Sequence, residues 1–317
     1  MTLRPSNKVE LADLLRSANG RRTQLAPVEL GAFHRIIEHT PEDMTVTVEA
    51  GIPLKTLQAA LAQKGQWLPI DPANPERLTI ASLLSMNTSG PRRFGFGTIR
   101  DHLIGLQVVL ADGRLIRSGG KVVKNVAGYD LLKLFVGAHD TLGFIVEAAF
   151  KLLPLPESEH FVRARCGSLD DCGRMIESVL DSELTPVVLD CHNTASIQSE
   201  FFVVLGFSGT YEDVDWQLGK ASALGFCDPA TLDYEREFLA QGSAKPQRLS
   251  VLPSRLAEAI GQLGGVSFVA RAGNGVIHYR GGAVPSGSES KTQAPALLLK
   301  KVKDIFDPNH ILPDFPQ

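Results

Sequence analysis

Apolar residues recur at helical and strand periods in the first part of the chain. The run 8–18 carries leucines on one face, begins after Asn7 and stops before Gly20, which predicts a helix. The β-branched alternating run 44–51 predicts a strand. Residues 53–65, with a proline at the start and leucines at helical spacing, predict a helix that directly follows this strand.

A hairpin is predicted around Asp112 and Gly113, which separate two β-rich runs. This dipeptide is typical of a tight primed turn, in which both central residues take positive φ. Asp130 is placed to cap a short helix over 131–137, and the apolar run 141–153 predicts a further strand. The first half therefore mixes short helices with antiparallel strands.

We place a domain boundary after residue 154, where Pro154 and Pro156 end the last of these strands. The second half predicts helices near 169–182, 211–224 and 252–264, and strands around 201–207 and 267–272. Residues 281–296 have almost no side chains that could be buried, and they predict a surface loop. The expected fold class is α+β.

Composition agrees with a folded globular chain. Of the 317 residues, 44% are apolar and 21% charged, and the formal net charge is -3 without a long run of one sign. Nucleic acid is therefore not an expected partner. No apolar stretch is long enough to span a bilayer and the N-terminus does not resemble a signal peptide, so we expect a cytoplasmic protein, with any membrane association made through partners.

The cysteine and histidine spacings do not indicate a metal or cluster site. The four cysteines show no C-x-x-C spacing, and the eight histidines form no H-x-x-x-H pair. We expect buried free thiols and no metal. The cysteines are Cys166, Cys172, Cys191 and Cys227.

The most unusual stretch is 85–101, SMNTSGPRRFGFGTIRD. Its glycines allow a close backbone approach, its hydroxyl and amide side chains can donate hydrogen bonds, and Arg92, Arg93 and Arg100 can offset the charge of a phosphate. A dinucleotide cofactor would use all three properties. A polar connection with its arginines in water explains the same composition, and both interpretations remain open.

Residues 68–154 resemble the flavin domain of the vanillyl-alcohol-oxidase type, also called the PCMH-type FAD-binding family. They are most similar to the FAD-binding subunits of bacterial glycolate oxidases. The most specific segments are GPRR (90–93), RDHLIGLQVVLADG (100–113), KNVAGYDL (124–131) and TLGFIVEA (141–148). FDPNHILP (306–313) is similar to the closing motif of that family.

This resemblance implies a two-subdomain α+β FAD-binding domain over 1–154, with a shortened first subdomain, followed by a smaller α+β cap domain over 155–317. It implies a non-covalently bound FAD. The implied cofactor-binding residues are Pro72, Thr79, Ala81, Ser82, Asn87, Ser89, Gly90, Thr98, Arg100, Gly143 and Ile145. Lys124, Asn125 and Tyr129 are further candidates for a subunit or ligand contact.

Two departures from the family pattern concern the FAD phosphates. The family has a glycine-rich loop between its first helix and the strand before ExAG, where successive N–H groups hold the pyrophosphate. The corresponding stretch here, 18–51, contains no such loop, and Ala81 and Ser82 stand where two glycines are usual. Both departures predict weakened FAD binding.

No catalytic residue can be assigned from the sequence. Flavin oxidation of a hydroxy acid needs a base, and the closest candidate segment is 270–280, with Arg271, Asn274 and His278. A plain strand and turn is the other interpretation of this segment. The resemblance implies hydride transfer from a small 2-hydroxy acid to flavin, beside a catalytic flavin subunit and an iron–sulfur subunit. The alternatives are a non-catalytic scaffold or assembly subunit with a decayed flavin site, and an independent small flavin dehydrogenase.

Overall fold

The structure is a computed structural model that describes residues 2–120, 132–193, 200–241, 246–282 and 293–316. It divides into two compact units. Unit 1 comprises Met1–Ser89, Thr98–Leu155 and Lys291–Gln317, and unit 2 comprises Gly90–Gly97 and Pro156–Ser290. The predicted helix cap Asp130 and the candidates Lys124, Asn125 and Tyr129 lie outside the described residues.

The elements of the first half follow the predicted order. They are α1 (Lys8–Arg21), β1 (Ile36–Thr40), β2 (Thr45–Glu49), α2 (Leu54–Ala62), β3 (Gln66–Trp67), α3 (Ile80–Met86), α4 (Arg93–Phe96), α5 (Ile99–His102), β4 (Leu103–Val109), β5 (Leu115–Gly119), α6 (Leu132–Phe135), β6 (Phe144–Lys151) and β7 (Leu153–Pro154).

The second half alternates helices with longer strands. Its elements are β8 (Ser158–Cys166), α7 (Leu169–Leu180), β9 (Val188–His192), β10 (Phe201–Gly209), α8 (Tyr211–Ala223), β11 (Asp228–Pro229), α9 (Asp233–Ala240), β12 (Gln247–Ser250), α10 (Leu256–Gln262), β13 (Ser267–Arg271), β14 (Val276–Arg280) and α11 (Gln293–Phe306).

Each unit is built on an antiparallel sheet. Unit 1 has the strand order β1-β2-β6-β4-β5, and unit 2 has β11-β8-β10-β9-β13-β14-β12. In unit 1 the helices α2 and α3 bury leucines in a core with one face of the sheet, and α1 packs Leu11 and Leu15 with Phe144 and Val146. No helix in the described part of the chain is long and apolar enough to cross a membrane.

The hairpin differs from the predicted primed turn. Leu110 and Arg114 close a three-residue loop, with Leu110 N–H donating to Arg114 O at 2.9 Å, and Gly113 takes φ +76° whereas Asp112 does not take positive φ. Asp112 instead accepts a hydrogen bond from Arg114 N–H at 2.9 Å. The extra residue permits a turn that needs one glycine only.

The C-terminal segment belongs to unit 1, although the sequence division assigns it to the second domain. Helix α11 starts at Gln293, inside the stretch predicted as a loop, and Phe306 makes an edge contact with Phe135 at 5.7 Å between ring centroids. Asp307 then accepts hydrogen bonds from the N–H groups of Ile311 and Leu312 at 3.0 and 2.8 Å. The motif FDPNHILP therefore forms a buried polar turn.

The cysteines were expected to be buried free thiols. Cys166, Cys172 and Cys191 are buried free thiols, whereas Cys227 is free and exposed. A contact with Cys172 and burial raise the pKa of the Cys166 thiol, which favours its neutral form.

Candidate functional site

The N-terminus of α3 contains Thr79, Ala81 and Ser82, three of the implied cofactor-binding residues. Thr79 and Ser82 form a capping box: Ser82 N–H donates to Thr79 Oγ1 at 3.2 Å, and Thr79 N–H donates to Ser82 Oγ at 3.0 Å. Ile80 N–H donates to Ile52 O at 3.0 Å, and Ala81 N–H donates to Ala50 O. All four N–H groups therefore already have protein acceptors.

This arrangement bears directly on FAD. A helix N-terminus binds phosphate through N–H groups that have no partner inside the protein. None of the N–H groups from Thr79 to Ser82 meets that condition in the structure described. The start of α3 does not fit a pyrophosphate, because the side chains of Thr79 and Ser82 and the carbonyl groups of Ile52 and Ala50 already accept from these four N–H groups.

Two N–H groups of the segment that follows α1 already have protein acceptors. Leu25 N–H donates to Ile311 O at 2.7 Å, and Glu29 N–H donates to Leu3 O at 2.9 Å. A Cβ on Gly51 would lie only 1.8 Å from Leu30 O, so this segment packs directly on the end of β2. These contacts attach the segment to the end of β2, to residue 3 and to the C-terminal segment of unit 1.

Asn87 is the implied site residue with an unused polar atom. It ends α3 in the left-handed conformation at φ 49°, and its Oδ1 is buried without a hydrogen-bond donor among the described residues. A buried acceptor without a donor is costly and marks a position where a ligand donor would be favourable. Ser89 lies half-buried two residues further on.

Thr98 and Arg100 frame the short helix α5. Thr98 donates its N–H and its hydroxyl to Asp101 Oδ2 at 2.7 and 2.8 Å, so its side chain is part of a capping box. Arg100 is exposed and has no hydrogen bond or ion pair in the described structure. Among the implied cofactor-binding residues, Arg100 is therefore a cation that an anion can reach from solvent.

The other implied residues in unit 1 are buried or closely packed. Pro72 is buried, and Ile145 is 2% exposed in the core beside β4. Gly143 has φ +150°, and a Cβ there would lie 2.7 Å from Val108 Cγ1. A glycine is required at this position by the close packing of β4 and β6.

The GPRR segment belongs to unit 2. Gly90 O accepts a hydrogen bond from Arg93 N–H at 3.3 Å. Arg92 forms an ion pair with Glu159, with Nε donating at 2.8 Å, and its guanidinium lies 5.3 Å from the centroid of Phe161. The structure therefore uses Arg92 within unit 2.

Residues 270–280 form β13, a 3-10 turn and β14. Arg271, 3% exposed, donates to the carboxylates of Asp190 and Glu235, and Asp190 also accepts from Tyr234 OH at 2.7 Å. Arg271 is thus engaged in a buried ion network. Both carboxylates accept from its guanidinium in the interior of unit 2.

His278 lies on the same strand pair. Burial, together with the charges of Arg271, Arg248 and Arg93, lowers the pKa of His278 to about 4. The imidazole is therefore neutral near pH 7. A neutral imidazole can accept a proton, but a pKa this low makes it a weak base.

Comparisons with known proteins agree on the kind of fold. A family model described as an FAD binding domain matches residues 17–119. The glycolate oxidase subunit GlcD of Bacillus subtilis is 38% identical over 158 residues, which cover 50% of this chain and 34% of GlcD. The glycolate oxidase subunit GlcE of Escherichia coli is 39% identical over 145 residues, covering 45% of this chain and 41% of GlcE.

A D-lactate dehydrogenase of Archaeoglobus fulgidus is 33% identical over 172 residues, covering 49% of this chain and 39% of that enzyme. The matches therefore span less than half the length of each of these relatives. Among solved structures, alkyldihydroxyacetonephosphate synthase is similar over 98% of this chain and 76% of its own, with a TM-score of 0.71 and 15% identity. That likeness establishes the fold alone.

Proposed function

We propose that the chain is a member of the PCMH-type FAD-binding family and the FAD-binding subunit of a glycolate oxidase-like complex that oxidises a small 2-hydroxy acid. The observation that carries this proposal is the match of residues 17–119 to an FAD binding domain, together with similarity to two glycolate oxidase subunits.

The proposed reaction requires partners. FAD supplies a hydride acceptor when it is bound, and the electrons must then leave the flavin. The four cysteines have none of the spacings that hold iron–sulfur clusters, so we assign the cluster to a separate iron–sulfur subunit. The buried Arg271 and the weakly basic His278 do not supply a strong base, so we assign proton removal to a catalytic flavin subunit.

The proposed FAD is held non-covalently and with few phosphate contacts. The closed N-terminus of α3 leaves Arg100 to face a phosphate from the surface, and Asn87 Oδ1 to accept from a flavin or ribose donor. An exposed charge pair contributes about 0–1 kcal/mol. We therefore expect modest affinity for FAD.

A second candidate function is a non-catalytic scaffold or assembly subunit of the same complex. The N–H groups at the start of α3 favour this function, because they donate to protein acceptors and are not available to the phosphates of FAD. The fold would then be retained for assembly alone.

Titration of the purified chain with FAD separates these two functions. The first predicts saturable quenching of flavin fluorescence with a single FAD per chain. Arg100→Ala should weaken binding up to about fivefold, whereas Arg117→Ala, an exposed arginine on β5, should leave it unchanged. A chain that leaves FAD fluorescence unchanged, and that is colourless once free FAD has been removed, would favour the scaffold function and overturn the first.

A further inference from the structure

Unit 2 contains a cavity of about 330 Å³ that none of the roles discussed so far explains. One face of β8, β9 and β10 forms its floor, and α9 forms its wall. The side chains that decide its chemistry are Arg163, His192, Phe202, Asp233, Tyr234 and Glu237.

Arg163 is the unusual group in this cavity. It is half-buried, its Nε is inaccessible to solvent, and it has no hydrogen-bond acceptor or ion-pair partner within the described residues. Its guanidinium lies 4.8 Å from the centroid of Phe202, a cation–π contact that satisfies no N–H group. The Nε–H group is therefore withdrawn from water without an acceptor, and no carboxylate of the described residues forms an ion pair with this guanidinium.

His192, which also lines the cavity, gives Arg163 no counter-charge. His192 is stacked on Tyr234 at 4.3 Å and lies 5.4 Å from Phe202 between ring centroids. Burial and the charge of Arg163 lower the pKa of His192 to about 4, so its ring is neutral near pH 7. A neutral imidazole adds a polar lining without adding charge.

The rim of the cavity limits the charge of a ligand. Asp233 and Glu237 line it, and Asp233 already pairs with Arg236. Because Asp233 is paired, Glu237 is the carboxylate that opposes an anion beside Arg163, and its repulsion of a phosphate dianion is greater than its repulsion of a monoanion. Val204 and Ala230 add apolar surface that suits a short hydrocarbon or ring.

We propose that this cavity binds a small monocarboxylate, with the Arg163 guanidinium holding the carboxylate and the apolar wall holding the rest of the molecule. A guanidinium matches a carboxylate through two parallel N–H···O bonds. The cavity lies within unit 2, and binding there requires neither FAD nor a partner subunit.

Calorimetric titration of the full chain without added flavin tests this. The probes are glycolate, benzoate, the neutral benzamide and inorganic phosphate. We expect at least one of the two carboxylates to bind, and Arg163→Gln to weaken it on the order of tenfold or more. Arg165→Gln is the matched control, because Arg165 is exposed on the same strand and pairs with Glu200; it should leave affinity unchanged. Equal binding by Arg163→Gln, or tighter binding of benzamide or phosphate, would overturn the proposal.

A second measurement uses the wild-type chain and does not depend on the folding of a variant. Histidine resonances followed against pH should show the pKa of His192 rising when the bound carboxylate is present, because the anion offsets the charge of Arg163. An unchanged His192 pKa at saturating carboxylate would contradict the assignment.

A further variant tests the charge of the cavity lining. Glu237→Gln should tighten carboxylate binding, because it removes a like charge from that lining. Failure of this site would leave the FAD titration unaffected.

Discussion

The buried Lys303 of unit 1 and the half-buried Arg163 of unit 2 differ in their hydrogen-bond partners. Lys303 in unit 1 donates its Nζ to Thr141 O at 3.0 Å, Pro313 O at 2.9 Å and Asp307 Oδ2 at 2.6 Å. Arg163 in unit 2 has no acceptor among the described residues. The hydrogen bonds of Lys303 stabilise the fold, whereas the Nε–H group of Arg163 is left to the monocarboxylate that we propose.

The same contrast applies to the implied FAD residues. Thr79 and Ser82 satisfy each other, as Lys303 and Asp307 do, whereas Asn87 Oδ1 and Arg100 remain without partners in the structure described. Family resemblance indicates where a ligand is expected. The hydrogen-bond inventory shows which of those groups are free to contact it.

The largest expected effect comes from Lys303. Lys303→Met should lower the free energy of unfolding by about 3–5 kcal/mol, because it leaves the Asp307 carboxylate buried without its charge partner. Lys301→Met, on an exposed position of the same helix, should change it by less than about 0.5 kcal/mol. Urea unfolding measures both. Similar losses of unfolding free energy in Lys303→Met and Lys301→Met would contradict the stabilising role of the Lys303–Asp307 pair.

The next effect depends on pH. The folded pKa of His192 lies at about 4, below the ordinary value of 6.5, so the unfolded chain binds more protons between these values. The contribution of His192 to stability is therefore complete above pH 6.5 and is lost as the pH falls towards 4, by on the order of 2–3 kcal/mol. His192→Gln should reduce the slope of unfolding free energy against pH in this window. His160→Gln, at an exposed position, should keep the wild-type slope, and a slope unchanged in His192→Gln would refute the prediction.

A smaller effect is expected at the closed end of α3. Thr79→Ala removes the capping hydroxyl and should cost about 1 kcal/mol of unfolding free energy. Thr23→Ala, at an exposed position, is the control and should cost less than about 0.5 kcal/mol. If Thr79→Ala and Thr23→Ala had the same free energy of unfolding, the Thr79 hydroxyl would not be the group that stabilises the N-terminus of α3.

The smallest effect on stability is expected at Arg163. Arg163→Met keeps an extended apolar side chain against Phe202 and removes an unpaired charge, so the free energy of unfolding should fall by less than about 0.5 kcal/mol or should rise. The same urea series measures it. A loss comparable to that of Lys303→Met would show that Arg163 is a structural residue.

Local patterns predict the elements of this fold well, because helix caps and alternation act over a few residues. The helix after Asn7 and the strand followed by α2 are found close to their expected bounds. The hairpin loop is one residue longer than expected, because a three-residue loop needs a single glycine at Gly113. The place of the C-terminal segment in unit 1 depends on long-range packing by Phe306, which no local pattern encodes.

The candidate site was less predictable for a related reason. The pair Thr79 and Ser82 is visible in the sequence as a capping signal, but whether the cap is closed depends on Ala50 and Ile52, which lie on another segment. Arg163 and His192 come together only because β8 and β9 both pair with β10. The spacing of Arg163 and His192 in the sequence does not predict that they line the same cavity.

Unit 1 contains most of the segment that matches an FAD binding domain, and the N–H groups at the start of α3 all have protein acceptors. The most direct test compares the affinities of the purified chain for FAD and for riboflavin, which lacks both the phosphates and the adenosine. We expect both ligands to bind. The affinity for FAD should exceed that for riboflavin by no more than about tenfold, because one surface charge and a few weak contacts are all that the phosphates and the adenosine gain. Binding of FAD alone at high affinity would show that the phosphates are held after all, and binding of neither would show that the flavin site is lost.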